Sequence, residues 1–255
     1  MINPIFSLEL FTIVSLLLVG LCLFLTHKFV KEKYRKICYL FSALACLFVH
    51  YSDYLFDVIN GTAGEIPGNL FLPEWPCNVI MWIVFALSIL LFFKETMVTN
   101  YLLYISFWVG GLCSIIGIAA NFNFMSNPNF GDWDIMKGLL SHVFLCYCCF
   151  YPMVEGKVKY KFFKVTLAML IGLMLFIFCA NLSVFVLERL GRDSSGTMLS
   201  PPFESMPWLN LYVICILSFV IWVGVATLFE IVKFEKGERW FDRVEDIKDE
   251  LVGAK

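Results

Sequence analysis

The chain has 255 residues, of which 60% are hydrophobic and only 16% are charged, and its net charge is −2. That composition excludes a soluble globular domain, because too few polar side chains remain to cover a surface that faces water. The net charge itself indicates nothing more about partners, and we expect no nucleic-acid partner.

The hydrophobic residues gather into seven long runs, each close to the roughly 20 residues that a helix needs to cross a bilayer. These runs are hydrophobic on every side, whereas the strands of a membrane barrel alternate with period two. The sequence therefore predicts an all-α fold, a seven-transmembrane-helix bundle over residues 1–232. In chain order, predicted spans 1 to 7 cover residues 8–25, 37–58, 77–93, 101–120, 136–154, 162–187 and 208–232.

Positive charge collects on one side of this predicted bundle. Of the 19 Lys and Arg residues, all but Lys137, Arg189 and Arg192 fall at the first, third and fifth connections or behind span 7. Because Lys and Arg accumulate in cytoplasmic loops, this pattern predicts an N-terminus outside the cytoplasm and a cytoplasmic C-terminus. It also requires an odd number of spans, in agreement with seven.

Both ends of the chain are expected to stay with the membrane. Span 1 is not expected to be a cleaved signal peptide, because no basic residue precedes it and no small-residue cleavage site follows it. Residues 233–255 form a short charged tail in which Trp240, Val244, Ile247 and Leu251 recur at helical spacing. This spacing predicts an amphipathic helix along the inner membrane surface, and a frayed, solvated tail is the alternative.

Most of the ten cysteines lie inside the predicted spans, where a free thiol behaves as a small hydrophobic side chain. Cys146, Cys148 and Cys149 resemble a cluster of metal ligands, but no His or carboxylate stands at helical spacing from the last two. We therefore expect no metal and no other cofactor.

Cys77 has a different setting, because it follows Pro73 and Pro76 at the outer entrance of span 3. Proline is tolerated at the start of a helix, and the first backbone N–H groups there have no partner within the helix. These groups and the positive end of the helix dipole would stabilise a thiolate or an oxyanion. Cys77 is thus a candidate nucleophile, and a structural role is the alternative.

Two histidines lie within predicted spans, where polar groups usually face a cavity or one another: His50 in span 2 and His142 in span 5. Asp53 and Asp57 follow His50 by one and two turns, so these three residues would share one helical face. His50, Asp53, Cys77 and His142 would all lie in the outer half of the membrane. A base, an acidic orienter and a nucleophile at one level make a candidate catalytic site, and a hydrogen bond between helices is the simpler interpretation.

Three short blocks of sequence precede or open spans 3, 5 and 7: LPEWPCNV at residues 72–79, SHVFLCYCCFYP at 141–152 and MLSPPFESMPW at 198–208. The blocks resemble the YwaF-like family of integral membrane proteins, whose vertebrate branch is an acyltransferase of ether phospholipids. The resemblance implies that Cys77 is the catalytic cysteine and that His142 corresponds to the histidine that opens the fifth helix in the family. It further implies substrate contacts from Trp75, Asn78, Asn181 and Trp208.

The reaction implied by this resemblance is a two-step acyl transfer between membrane phospholipids. The Cys77 thiolate would attack an acyl ester, and the thioester would pass to a lysolipid hydroxyl while a histidine moves the proton each time. Trp75 and Asn78 stand where related proteins carry a histidine, so His142 or His50 would have to activate the thiol. The proline-rich loop at residues 189–207 is expected to form a lid.

Two other classes of function remain open. A proton-coupled transporter would use His50, Asp53, Asp57 and His142 as a proton relay. A receptor rests on the seven-helix topology alone, and a fold does not imply a function. Each class predicts a multi-pass membrane protein, in the plasma membrane of a bacterium or an endomembrane of a eukaryote.

Overall fold

A computed structural model describes residues 4–60, 75–93, 95–121, 124–125, 128–191, 208, 210–247 and 251. Over these residues the chain is helical and contains no strand, which confirms the predicted all-α class. The helices are α1 (Pro4–Phe29), α2 (Glu32–His50), α3 (Ser52–Asn60), α4 (Pro76–Leu90), α5 (Met97–Ala119), α6 (Trp133–Val154), α7 (Phe162–Arg189) and α8 (Leu211–Lys233).

Five of these helices are long and apolar enough to cross a membrane, namely α1 over Ser7–Phe29, α5, α6, α7 and α8. They match predicted spans 1, 4, 5, 6 and 7, so the chain is a multi-pass membrane protein. The helix at span 3, α4, is apolar but has only 15 residues. A helix of that length reaches about 22 Å at 1.5 Å per residue, short of the ~30 Å hydrocarbon core.

The prediction of one continuous helix over residues 37–58 is wrong. α2 ends at His50, Tyr51 has φ −101° and ψ 13°, and α3 begins at Ser52. The hydroxyl of Ser52 donates to the Val49 carbonyl at 2.8 Å and accepts from Trp133 Nε1 at 2.9 Å. A side chain that occupies a backbone carbonyl competes with the helical hydrogen bond, and α6 holds this one in place through Trp133.

The described residues up to Val158, except Trp75, form one compact unit, called unit 1 here. Its central helix is α6, which packs against α1, α2, α4 and α5. Leu139, Leu145, Cys146, Cys148 and Cys149 of α6 are fully or almost fully buried. Because these helices satisfy their own backbone hydrogen bonds, their association depends on how closely the side chains fit.

The helices of unit 1 approach one another closely at Gly110 of α5. A Cβ atom at this position would lie 2.6 Å from Ile80 Cγ2 of α4 and 2.8 Å from Cys149 Sγ of α6. Gly110 also ends a π-helical turn, Ser106–Gly110, that interrupts the α-helical hydrogen bonding of α5. Small residues allow membrane helices to meet this closely, so α4, α5 and α6 meet at the missing side chain.

Charged side chains interact with one another at the end of unit 1 where α1 ends and α2 begins. Arg35 Nη1 lies 2.8 Å from Glu155 Oε1, and His27 Nδ1 lies 3.0 Å from the same oxygen. Lys36 Nζ donates to the Leu91 carbonyl at the end of α4, at 2.6 Å. The first and fifth predicted connections therefore meet at this end, and Glu155 neutralises part of their basic charge.

The described residues from Lys159 onward, with Trp75, form a second unit, called unit 2, in which α7 packs against α8. Its tail forms two short 3₁₀ turns, Trp240–Asp242 and Val244–Asp246, so the predicted amphipathic α-helix is absent from residues 234–246, whereas Ile247 and Leu251 are helical. The Trp240 ring stacks on Phe162 at 4.7 Å and its Nε1 donates to Thr227 Oγ1 at 3.0 Å. The fully buried Glu230 carboxylate accepts from the Trp240 backbone N–H. These bonds favour a tail folded onto its own helices.

Replacement of Gly110 by Ala is expected to destabilise the protein by about 1–3 kcal/mol, because the added methyl group overpacks the contact with Ile80 and Cys149. Reversible unfolding in mixed detergent micelles measures the change. Gly20→Ala is the matched control, since a Cβ there meets nothing within 4 Å. Equal stability of the two variants would contradict the close packing of α4, α5 and α6.

Candidate functional site

Cys77 is the second residue of α4, directly after Pro76, and its side chain is half-buried. Proline has no N–H to lose at this position and its fixed φ angle suits the first turn of a helix. The thiol donates to Asn78 Oδ1 at 3.5 Å. An amide oxygen only accepts hydrogen bonds, so Cys77 keeps its proton in this arrangement. It is a neutral thiol that donates to Asn78.

Cys46 connects Cys77 to the beginning of α6. Its thiol donates to the Ser141 carbonyl at 3.2 Å, and it is close enough to Cys77 for the two groups to interact electrostatically. The last turns of α2 therefore contact the third turn of α6 through Cys46, and the first turn of α4 with Cys77 lies in the same region of unit 1. From the sequence alone, Cys46 is one of the structural cysteines, because nothing in the spacing of residues marks a contact between distant helices.

His142 is 8% exposed and lies against α5. Its Nδ1 is 2.6 Å from the Gly138 carbonyl, which only accepts, so Nδ1 carries a proton and Nε2 is the basic nitrogen of the neutral ring. A Cβ at Gly117 would overlap Nε2 and Cδ2, so the ring occupies the space that this glycine leaves. The basic nitrogen thus faces α5. His142 is hydrogen-bonded to Gly138, whereas Cys77 is hydrogen-bonded to Asn78.

His50 is the last residue of α2, and its ring packs edge-on against Tyr51 with 4.8 Å between centroids. The break at Tyr51 removes the continuous helical face that His50, Asp53 and Asp57 were predicted to share. The side chains of both aspartates lie outside the described residues. The Tyr51 ring lies 6.3 Å from that of Trp82 on α4, so aromatic side chains flank this end of the unit. The catalytic site expected from Cys77, His50, Asp53 and His142 remains a prediction.

Of the predicted substrate contacts, Asn78 belongs to unit 1, and Trp75, Asn181 and Trp208 belong to unit 2. Trp75 and Trp208 are exposed, at 40% and 61%. Asn181 of α7 accepts from the Tyr212 hydroxyl of α8 at 2.8 Å and donates to the Ile177 carbonyl at 2.7 Å, which satisfies its side chain within unit 2. Asn78 bonds to Cys77, as described above. The predicted lid falls largely on residues 192–207, outside the described part of the chain.

An apolar cavity of about 550 Å³ lies between α1 and α6 in unit 1. The sequence gives no sign of this cavity, because only the packing of two helices distant in the chain creates it. Its mostly apolar lining suits a hydrocarbon chain better than a polar ligand. The lining residues are Ser7, Leu10, Phe11, Val14, Ser15, Leu18, Phe130, Leu140 and Val143.

No group of three or more His, Cys, Asp or Glu residues within the described ranges has the arrangement of a metal site. No protein-family model matches the sequence, and comparisons with curated proteins and with solved structures also give no match. Fold and composition define the class, a multi-pass all-helical membrane protein, and the chemistry of the site must be argued from its residues.

Cys77 is expected to react with a membrane-permeant maleimide faster than Cys46, Cys148 or Cys149. The reason is access, since residue Cys77 is partly exposed while the other three cysteines are fully buried inside unit 1. Peptide mass spectrometry after timed labelling of the folded protein gives the order of reaction. The exposed Cys22 is the positive control. Labelling of Cys46 at the rate of Cys77 would contradict the described burial.

Proposed function

We propose that the protein is a membrane acyltransferase that moves a fatty acyl chain between phospholipids through a thioester on Cys77. The observation that supports this function best is the position of Cys77. It lies in the first turn of α4 beside Pro76, half-buried, with Cys46 and the third turn of α6 at the same end of unit 1. Cys77 thus places a thiol, a strong nucleophile, at the start of α4. The first N–H groups of a helix have no partner within the helix and can stabilise negative charge.

The proposed reaction has two balanced steps. In the first step, Cys77 gives its proton to a histidine and its sulfur attacks the acyl carbonyl. The bond to the lysolipid oxygen then breaks, and the histidine gives the proton to that departing oxygen. In the second step, the histidine removes the proton of an acceptor lysolipid hydroxyl, whose oxygen attacks the thioester carbonyl. The carbon–sulfur bond breaks, and the histidine returns the proton to the Cys77 sulfur. Backbone N–H groups of the first turn of α4 would hold the oxyanion in both steps. The reaction needs no metal and no cofactor.

His142 and His50 are the two candidates for the proton carrier. His142 has a neutral ring with Nε2 as its basic nitrogen, and it follows Ser141, whose carbonyl accepts from Cys46. The ring would have to turn away from Gly117 for Nε2 to reach Cys77. His50 lies beside the break at Tyr51 and would depend on Asp53 for its orientation. Separate His142→Ala and His50→Ala variants identify the one that carries the proton.

The lipid substrate is proposed on chemical grounds. The cavity between α1 and α6 is apolar and large enough to hold part of an acyl chain, and Leu140 and Val143 in its lining flank His142 in sequence. Trp75, Asn78, Asn181 and Trp208 are proposed as substrate contacts on the resemblance to the YwaF-like family alone. Phospholipids of the surrounding membrane are then both donors and acceptors.

The finer topology belongs to the same proposal. Seven crossings are obtained if α2 with α3, and α4 with the residues after it, cross the membrane as spans 2 and 3. The N-terminus then lies outside and the tail at residues 233–255 lies in the cytoplasm. The meeting of Arg35, Lys36 and Glu155 at one end of unit 1 supports this orientation, since it brings the basic first and fifth connections to the same side.

Proton-coupled transport is the second candidate. It is favoured by polar side chains in the interior of unit 1, where the hydroxyls of Tyr39 and Ser106 and the thiol of Cys149 are fully buried. Polar groups at that depth in a membrane protein commonly belong to a pathway for protons or ions. His50, Asp53 and His142 would complete that pathway.

Cys77→Ala is expected to reduce acyl exchange between labelled phospholipid and lysolipid to the background rate, because the nucleophile is removed. Purified wild-type protein should carry a hydroxylamine-sensitive acyl group on Cys77, visible by mass spectrometry. Cys179→Ala is the matched control, since that thiol is also partly exposed but lies within α7. The transport candidate predicts the reverse pattern, with Cys77→Ala silent and Asp53→Asn or His142→Ala blocking proton flux. Exchange that survives in Cys77→Ala would overturn the acyltransferase proposal.

A further inference from the structure

The connection between α1 and α2 carries a high density of positive charge. Residues 27–36 contain five Lys and Arg residues and a single acidic residue, Glu32. Two of the five basic side chains are used within unit 1, because Arg35 is paired with Glu155 and Lys36 bonds to a carbonyl at the end of α4. The other three, which we call the lysine patch, are Lys28, Lys31 and Lys33.

The three ammonium groups of the lysine patch are exposed and have no acidic partner. Lys28 belongs to the last turn of α1, Lys31 to the two-residue connection, and Lys33 to the first turn of α2. Within the part of the chain that the structure describes, no carboxylate forms an ion pair with any of them. Even if Glu32 offsets one of the three charges, two positive charges remain uncompensated.

Exposed aromatic rings surround the lysine patch. Lys28 Nζ lies 5.2 Å from the ring centroid of Phe24 and 5.5 Å from that of Phe29. Lys33 Nζ lies 4.6 Å from the ring centroid of Tyr34. The three rings are 54%, 68% and 48% exposed, in chain order. A ring face attracts an ammonium group but does not neutralise its charge, so the patch combines uncompensated cations with uncovered apolar surface.

The lysine patch lies at a boundary of the bilayer. α1 is long and apolar enough to cross a membrane over Ser7–Phe29, so its last turn and the connection after it reach the headgroup region. Aromatic rings are favoured at this level, and lysine side chains extend from it toward the lipid phosphates. Cys77 stands at the start of α4, whereas Lys36 bonds to Leu91 just beyond its end, so the patch is separate from the candidate catalytic site.

We propose that the lysine patch binds the headgroup of an anionic phospholipid in the leaflet at this end of unit 1. The phosphate would accept hydrogen bonds from the ammonium groups, while the glycerol and acyl chains cover the exposed rings. A zwitterionic lipid would bring its own positive group into a patch that is already positive. A soluble anion would leave the rings uncovered. The combination of charge and exposed aromatic surface therefore fits an anionic lipid best.

Native mass spectrometry of the purified full chain, released from a non-ionic detergent micelle, tests this site. Dioleoyl phosphatidylglycerol and dioleoyl phosphatidylcholine are titrated separately, and the dissociation constant of the first bound lipid is measured. We expect the anionic lipid to bind about tenfold more tightly or better, since each Lys beside an anionic headgroup contributes about fivefold. Equal dissociation constants for the two lipids would overturn the proposal.

Matched double variants locate the preference in the lysine patch. Lys28→Gln/Lys33→Gln is expected to reduce the preference for phosphatidylglycerol to about twofold, because two of the three charges are removed. Lys233→Gln/Lys236→Gln is the control, since it removes two exposed lysines from a segment in which neighbouring glutamates offset their charge. All four side chains are exposed, so neither variant removes packing from the protein. An equal loss of preference in both variants would contradict binding at the patch.

A soluble headgroup distinguishes a lipid site from a general anion site. Glycerophosphoglycerol carries the same phosphate as phosphatidylglycerol but no acyl chains, so it cannot cover the rings of Phe24, Phe29 and Tyr34. We expect a hundredfold excess over the lipid to leave the phosphatidylglycerol adduct of the wild-type protein in place. Displacement of the lipid by this competitor would show that the patch recognises phosphate alone, and it would overturn the assignment to a lipid.

Discussion

The constraint on which the structure depends is the absence of hydrogen-bonding solvent inside a membrane. Helices satisfy their own backbone groups, so the chain is helical wherever it is long and apolar enough to cross. The remaining polar groups must find partners in the protein. Buried serines bond to their own helices, and charged residues gather at the end of unit 1, where Arg35 and His27 meet Glu155. At the irregular positions of the helices, a polar group finds its partner in another part of the protein.

Three such positions lie around α6, and they determine the candidate site. The chain breaks at Tyr51, where Ser52 bonds to Val49 and Trp133. The first turn of α4 starts at Pro76 with the thiol of Cys77 in it. α5 leaves room at Gly117 for the ring of His142. Each position brings a polar side chain out of the regular pattern of packed apolar surfaces, and together they hold the thiol and the imidazole that the proposed acyl transfer would use.

The sequence predicts the regular parts well, because they depend on local properties. Hydrophobic length identifies α1 and α5 to α8, and caps explain the small errors in their ends. α6 begins three residues early because Asp132 accepts from the Asp134 N–H, and α8 begins late because Asn210 accepts from the Val213 N–H. The break at Tyr51 could not be predicted, since Trp133 stands 81 residues from Ser52. The contact of Cys46 with Ser141 and the cavity between α1 and α6 depend on tertiary packing in the same way.

The central claim is that Cys77 carries the acyl group during turnover, and a single-turnover chase tests it most directly. Protein is first loaded from phospholipid with a radiolabelled acyl chain and then mixed with excess lysolipid under rapid quench. The proposed mechanism predicts that label leaves Cys77 at the rate at which labelled phospholipid product appears. Product that forms while Cys77 carries no label, or while its label persists, would contradict the mechanism.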